Sequence, residues 1–242
     1  MNQLAVEGRY LHRMAAKSTK SIQARVSKEP EFAAAAINGL MGSTGSVNFD
    51  QVTKTKTVEK IAVEANSGAL KQVVPLLERL VAYPGTDDSK SAASSRQFLA
   101  NLLMSIVRAR ASAAQGSEDG TEGVLEHILT IFVRFAYFTP DEGAKNAPQP
   151  AIAPQTQELF RSRINSCLNS LIASQKYAAT LPYAVVRQIR DTAKSEDYGK
   201  FIINLDGSLQ DSIKTAFKSL KKLSSNVTHI HPLYYLAHAN RN

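Results

Sequence analysis

The sequence has no tryptophan and a single cysteine, Cys167, among its 242 residues. One cysteine excludes a disulfide framework and a zinc site built from cysteines, and it fits a reducing compartment. We interpret Cys167 as a small core residue of a helix, because a nucleophile would need a partner histidine that the sequence cannot place. Apolar runs of roughly 18 residues, the length of a membrane-spanning helix, are also missing, so we expect no membrane span.

Aromatic residues make up only 7% of the chain, and strand-like alternation of β-branched residues is scarce. Alanine, leucine, lysine and serine are abundant instead, and this composition favours helix. Hydrophobic residues reach 43%, which is enough to bury a core. The 29 Lys and Arg residues exceed the 21 Asp and Glu residues by eight, and such an excess suggests acidic partners, nucleic acid first among them.

Apolar residues recur at helical spacing through most of the chain, so we predict an all-α protein. Short helices joined by short turns are typical of an α-solenoid of stacked antiparallel helix pairs, although no fixed repeat period is evident. We expect one helical segment over 1–138, a Pro-rich linker over 139–154, and a second segment over 155–242 that continues the same solenoid. The predicted helices cover residues 2–28, 32–41, 50–65, 67–82 with Ser67 as N-cap, 86–110, 124–138, 155–175, 182–194, 208–223 and 231–239.

The stretch GLMGSTGSVNFDQVTKTKTVEK, residues 39–60, has three glycines at three-residue spacing. A phosphate-binding loop would need a lysine after its last glycine and a strand before its first, and neither is present. We therefore expect Gly42 to end a helix in the left-handed conformation and Asn48 or Asp50 to cap the next helix. The threonines of TKTKT, residues 53–57, would occupy the first turns of that helix, exposed to modification, and folding alone does not explain their regular alternation with lysine.

Four stretches resemble the DNA polymerase phi family, which includes fungal "DNA polymerase V" proteins and the animal nucleolar Myb-binding protein. They are EGRYLHRMAAKSTKSIQARV, the glycine- and threonine-rich stretch above, VAYPGTDDSKSAASSRQFLANLLMSIVRAR, and RSRINSCLNSLI. The resemblance implies an armadillo- or HEAT-like helical fold in a nuclear, nucleolar protein that acts in ribosomal RNA transcription and ribosome assembly. It also implies a much longer protein, of which this chain would be an internal portion.

Residues 1–28 have six basic side chains against one acid, Glu7, a net charge of +5. Read alone, this basic amphipathic stretch resembles a mitochondrial transit peptide. The family resemblance places it within the helical body instead, and the transit peptide remains a minor alternative.

Candidate catalytic groups are few. Nucleotidyl transfer needs carboxylates that converge on two metal ions, but Asp87-Asp88 and Glu196-Asp197 lie at helix ends, where capping explains them. The histidines His229, His231 and His238 lack a nearby cysteine or acid, so we interpret them as capping or solvated residues. We therefore predict no catalytic residue, no metal site and no cofactor.

Two basic stripes at helical spacing are the candidate nucleic-acid-binding residues, because each puts several cations on one helix face. A solvated outer face is the alternative for either stripe taken alone. No aromatic-interleaved RNA-binding signature is present, so binding would be driven by phosphates and only weakly specific. The stripes are Arg9, Arg13, Lys17 and Lys20, and Lys214, Lys218, Lys221 and Lys222.

Three hypotheses follow. The first is a non-enzymatic nucleolar scaffold whose basic faces contact ribosomal DNA or pre-ribosomal RNA and whose other surfaces hold ribosome-assembly proteins. The second is a nucleotidyl transferase, as the family name suggests, which would depend on Asp87 and Asp88. The third is a protein–protein adaptor without nucleic-acid contact.

Overall fold

The computed structural model describes residues 9–42, 45–112, 120–140, 147–174, 177, 180–181 and 200–201. These residues form eight α-helices, a short 3₁₀ helix at Pro30–Phe32 and two strands of two residues each. The all-α class is confirmed. The helices are α1 Arg9–Lys28, α2 Ala33–Met41, α3 Phe49–Thr53, α4 Thr57–Glu64, α5 Ser67–Ala82, α6 Ser89–Ser112, α7 Thr121–Tyr137 and α8 Pro154–Ala173.

The strands, β1 Phe138–Thr139 and β2 Lys200–Phe201, pair antiparallel. Phe138 lies opposite Phe201, and Thr139 lies opposite Lys200. The sequence did not predict this pair, because two residues are too few for an alternating pattern to appear.

The structure differs from the helix predicted over residues 50–65 and from the N-cap predicted for α5. The helix expected over residues 50–65 is two helices, α3 and α4, separated at Lys54, which has a left-handed backbone with φ of 53°. The N-cap of α5 is Asn66 rather than Ser67, since the Asn66 side chain accepts the N–H of Ala69 at 2.8 Å. Ser67 is the first helical residue, and its buried hydroxyl lies 2.7 Å from the hydroxyl of Thr121. The helices predicted over 182–194, 208–223 and 231–239 lie outside the described residues.

The described residues divide into two compact units. The first contains α1 to α5, residues 89–106 of α6, the first turn of α7 and residues 148–152. In it α1 packs against α4, and α2 packs against α4 and α5. Its core is mainly aliphatic and includes the fully buried residues Ile37, Met41, Ile61, Leu70, Leu77 and Leu99.

A buried arginine, Arg96 of α6, organises one end of this unit. Its side chain is only 1% exposed, and it donates to four main-chain carbonyls. Two belong to the last residues of α5, Val81 at 2.9 Å and Ala82 at 3.4 Å. The others are those of Pro150 at 2.5 Å and Ala151 at 3.2 Å. Because helix ends leave carbonyls unpaired, Arg96 satisfies the end of α5 and holds residues 150–151 against it.

Residues 150–151 fall in the segment predicted as a Pro-rich linker, 139–154. The N–H of Gln149 also donates to the carbonyl of Ala82 at 2.9 Å. This part of the segment is therefore attached to the first unit. The division of the chain into 1–138, 139–154 and 155–242 stays a prediction.

The second unit contains most of α7, the end of α6 and α8. Phe160 of α8 packs against Phe132 and Phe135 of α7, with ring centroids 5.9 and 5.8 Å apart. Arg161, which follows Phe160, donates to the carbonyl of Ala136 at 3.1 Å and to Glu158 at 2.8 Å. Cys167 is fully buried in this unit, so its interpretation as a core residue is confirmed.

Candidate nucleic-acid interface

The first predicted basic stripe lies on α1. Arg13, Lys17 and Lys20 are exposed, and Arg9 is the first residue of the same helix. Thr19 and Val26 of α1 are buried, at 4% and 0% exposure. The helix is therefore amphipathic, with cations on its outer side, as the spacing of its residues predicts.

The three exposed cations are not engaged by acids, since the described residues contain no ion pair for Arg13, Lys17 or Lys20. The end of α1 differs. Arg25 pairs with Glu29 at 3.2 Å and lies over the Phe32 ring at 4.7 Å. Unpaired exposed cations retain their full attraction for an anion, so the part of α1 before Arg25 is the part suited to phosphates.

The second predicted stripe, Lys214, Lys218, Lys221 and Lys222, lies outside the described residues. It stays a prediction. The same holds for the histidines His229, His231 and His238 and for the acidic pair Glu196-Asp197.

The TKTKT segment forms a corner between α3 and α4 that the carboxylate of Asp50 organises. Asp50 is 6% exposed. Its two oxygens accept the N–H groups of Val58 and Glu59, each at 3.0 Å. Asp50 thus provides the capping acceptor for α4, whose first residue is seven positions further along the chain, and not for the helix that begins beside it. Asn48 is the N-cap position of α3, but its side chain makes no capping hydrogen bond.

Hydroxyl groups complete this corner. Thr55 donates to Asp50 at 3.2 Å, Thr57 donates to Thr55 at 3.2 Å, and the hydroxyls of Thr53 and Thr55 lie 2.9 Å apart. Thr53 and Thr57 are buried, so the expectation of exposed threonines is wrong for these two. The alternation has a structural reason: the three threonine hydroxyls form a hydrogen-bonded cluster that reaches Asp50 through Thr55, while Lys54 and Lys56 are exposed.

This corner adds cations that the sequence interpretation did not name. Lys54 and Lys60 are exposed and have no ion pair among the described residues, whereas Lys56 makes an exposed ion pair of 3.7 Å with Glu59. For Lys54 the signal in the sequence was the TKTKT alternation, because alternate residues buried on one side leave the residues between them exposed to solvent.

The glycines before this corner allow the chain to pass close to α2. A Cβ on Gly45 would collide with the main chain of Leu40, and one on Gly42 would collide with the carbonyl of Asn38. Gly42 ends α2 with φ of −72° and ψ of −160°, so the predicted left-handed conformation is wrong. Close approach, rather than a positive φ, is what requires glycine here.

Of the acidic pair Asp87-Asp88, which was expected to cap α6, Asp88 has this role. Its carboxylate accepts the N–H of Ser91 at 2.8 Å and the Ser91 hydroxyl at 2.7 Å. These hydrogen bonds hold the pKa of Asp88 below its ordinary value of 3.8. The described residues contain no cluster of three or more His, Cys, Asp or Glu side chains arranged to hold a metal ion.

Burial raises the pKa of the Cys167 thiol to about 12. Because the thiolate is the nucleophilic form of cysteine, this thiol is unsuited to nucleophilic chemistry at neutral pH. Among the helices in the described part of the chain, none has the length and apolar character needed to cross a membrane.

Comparisons with known proteins agree with the resemblance seen in the sequence. The family model for DNA polymerase phi matches residues 1–232. The "rDNA transcriptional regulator pol5" of Schizosaccharomyces pombe is 28% identical over 249 residues, which cover 96% of this chain and 25% of that protein. The "rDNA transcriptional regulator POL5" of Saccharomyces cerevisiae is 26% identical over 197 residues, which cover 78% of this chain and 18% of that protein. The chain thus spans a quarter or less of the length of these curated relatives, and no solved structure matches it.

Proposed function

Because the chain belongs to the DNA polymerase phi family, we propose that it is part of a non-enzymatic nuclear scaffold that acts in ribosomal DNA transcription. The printed names of the two yeast relatives, both regulators of rDNA transcription, support this role. Nucleolar localisation, and partners among ribosomal DNA, pre-ribosomal RNA and ribosome-assembly proteins, belong to the same proposal.

The observation that carries the proposal is the outer side of α1. Arg13, Lys17 and Lys20 are exposed at spacings of four and three residues and have no acidic partner in the described part of the chain. Cations held in a row on one helix can follow a phosphate backbone without reading bases. Binding of this kind weakens steeply with salt, because bound phosphates release their counterions.

The helical arrangement that we propose for this scaffold is an armadillo- or HEAT-like α-solenoid. A hydrogen-bond arrangement that recurs in both units supports this fold. In each unit an arginine of one helix, Arg96 or Arg161, donates to carbonyls at the end of the helix before it. A degenerate solenoid repeat would produce the same hydrogen-bond arrangement in successive helix pairs.

The test is fluorescence anisotropy of the 242-residue chain with duplex DNA and with hairpin RNA over a salt series. A variant with Arg13→Gln, Lys17→Gln and Lys20→Gln should bind more weakly. The slope of log K against log salt should fall by about 2 to 3, close to one unit for each phosphate that the variant no longer neutralises.

A matched control removes three exposed cations elsewhere through Lys71→Gln, Lys90→Gln and Arg108→Gln. It changes the net charge equally and should keep the original slope. Equal effects of the two variants would mean that only net charge matters. Absence of binding by the folded, unmodified chain at low salt would overturn phosphate binding and leave the protein–protein adaptor in its place.

The rival function, nucleotidyl transfer, has a test of its own. Asp88 already serves as the cap of α6, with its carboxylate bonded to Ser91. Metal-dependent incorporation of nucleotides that is abolished by Asp87→Asn or Asp88→Asn would establish the enzyme and overturn the scaffold.

A further inference from the structure

A cleft of about 680 Å³ lies in the first unit, between the loop after α2 and the end of α5. This volume is within the usual range for small-molecule sites, roughly 300 to 1,000 Å³. Its walls combine an aromatic ring, one cation and several neutral polar groups. The residues that carry the argument are Tyr83, Arg79, Asn48 and Ser95.

Tyr83 and Arg79 lie one helical turn apart and both line the cleft. Tyr83 is the C-cap residue directly after α5, and its N–H donates to the carbonyl of Arg79 at 2.8 Å. Tyr83 is 41% exposed, which is unusual among the large hydrophobic side chains of the described residues. A single exposed tyrosine needs no explanation, but one beside an exposed arginine in a concave site offers a flat apolar surface next to a positive charge.

The cleft also presents unused hydrogen-bonding groups. Asn48 accepts the hydroxyl of Ser46 at 2.9 Å through Oδ1, and its amino group has no partner among the described residues. Ser95 is 5% exposed, and its hydroxyl likewise has no hydrogen bond within the described part of the chain. Groups of this kind, donors and acceptors without charge, match the edge of a nucleobase.

The position of charge limits where an anion can lie. Arg79 is the only charged residue among the described residues that line the cleft. The nearby start of α6 is already occupied by the Asp88 carboxylate, bonded to Ser91 at 2.8 Å. An incoming phosphate would be repelled by that carboxylate, so Arg79 is the group that would meet it.

We propose that this cleft binds one unstacked nucleotide of a single-stranded nucleic acid, with the base on the Tyr83 ring and a phosphate at Arg79. The inference rests on the proposed function, and it adds base recognition to the phosphate binding of α1. Bases paired in a duplex are stacked on their neighbours and cannot enter, so the cleft discriminates single strands from duplexes.

The experiment compares binding of the 242-residue chain to a fluorescent oligouridylate of roughly ten nucleotides and to duplex DNA at one fixed salt concentration. Tyr83→Ala should weaken single-strand binding by about 5- to 150-fold, the usual effect of removing an aromatic ring on which a base stacks. It should leave duplex binding unchanged. Tyr83→Phe keeps the ring and should bind as the unmodified chain does.

Two controls separate stacking from other effects. Val52→Ala removes another exposed apolar side chain, on α3 and absent from the residues that line the cleft, and should change neither affinity. An abasic oligonucleotide of the same length should bind the unmodified chain more weakly than the oligouridylate does. This difference in affinity should be much smaller for Tyr83→Ala.

A photo-crosslinking measurement on the unmodified chain does not depend on the folding of any variant. Oligouridylate that contains 4-thiouridine should crosslink to the tryptic peptide spanning residues 80–90, which contains Tyr83. Crosslinks confined to other peptides, or unchanged single-strand affinity in Tyr83→Ala, would overturn the cleft while duplex binding still supports the proposed function. Failure of the unmodified chain to bind either nucleic acid would overturn both.

Discussion

Arg96 and Arg161 hold equivalent positions in two different helices. Counted from Ser89 and Pro154, each is the eighth residue of its helix. Each donates through Nε to a carbonyl at the end of the preceding helix, Val81 at 2.9 Å and Ala136 at 3.1 Å. A cation at the carbonyl end of a helix is stabilised both by hydrogen bonds and by the helix dipole.

The buried residues that follow the two arginines agree in spacing. Positions three, six, seven, ten and eleven after each arginine are buried in both helices. They are Leu99, Leu102, Leu103, Ile106 and Val107 in α6, and Ile164, Cys167, Leu168, Leu171 and Ile172 in α8. Sequence identity between the two sets is low, which explains why no fixed repeat period was found in the sequence.

Arg96 donates to four main-chain carbonyls and Arg161 to one. Replacing the two arginines should therefore change the free energy of unfolding by different amounts. Arg96→Met would leave carbonyls of Val81, Pro150 and Ala151 without their donor and should cost about 2 to 4 kcal/mol. Replacing Arg161 should cost less. Nη2 of Arg161 is buried without a hydrogen-bond partner among the described residues, and its acidic partner Glu158 is largely exposed. Arg161→Met should therefore cost about 0 to 2 kcal/mol.

Urea denaturation followed by circular dichroism measures both free energies of unfolding. Arg96→Lys provides a further comparison, since it keeps the charge but cannot reach four carbonyls at once, and should lie between the wild type and Arg96→Met. A larger loss of stability for Arg161→Met than for Arg96→Met would contradict the assignment of Arg96 as the stronger anchor.

The corner at Asp50 predicts a second pair of unequal effects. Asp50→Ala removes the acceptor for the N–H groups of Val58 and Glu59 and for the Thr55 hydroxyl. We expect a decrease of about 2 kcal/mol in the free energy of unfolding, the sum of a missing cap and of buried groups left unpaired. Asp87→Ala is the matched control, because Asp87 is exposed and its removal should change stability by less than about 0.5 kcal/mol.

The sequence predicted both ends of α5, because apolar periodicity and Pro84-Gly85 after its end agree, but it placed the N-cap one residue too late. It did not predict the break between α3 and α4. That break depends on the Asp50 carboxylate reaching across to Val58 and Glu59, which no local propensity encodes. The exposed cations of α1 were predicted from their spacing. The cleft at Tyr83 was not predicted, because its walls come from segments that lie apart in the sequence and meet only in the folded chain.

Two glycines of the same stretch should respond to alanine with opposite signs. Gly39 lies within α2, is exposed, and has no other atom within 4 Å of the place that a Cβ would occupy. Gly39→Ala should therefore stabilise the chain by about 0.5 to 1 kcal/mol, through higher helix propensity. Gly45→Ala should destabilise it by about 1 to 3 kcal/mol, because the new Cβ would collide with the main chain of Leu40. Thermal unfolding of the two variants gives the signs directly, and a stabilising Gly45→Ala would show that the loop does not approach α2 as described.

Cys167 predicts a dependence of stability and reactivity on pH. Its pKa is raised from 9.0 to about 12 in the folded chain. Between these values the unfolded chain releases the thiol proton while the folded chain keeps it, so the free energy of unfolding should fall as pH rises from about 9 to 12. Cys167→Ala should lack this part of the decline.

At about pH 8 the thiolate fraction of Cys167 in the folded chain is about three orders of magnitude lower than that of an ordinary cysteine. Iodoacetamide should therefore leave the native chain unmodified and alkylate it rapidly in guanidinium, and rapid alkylation of the native chain would contradict the burial of this thiol.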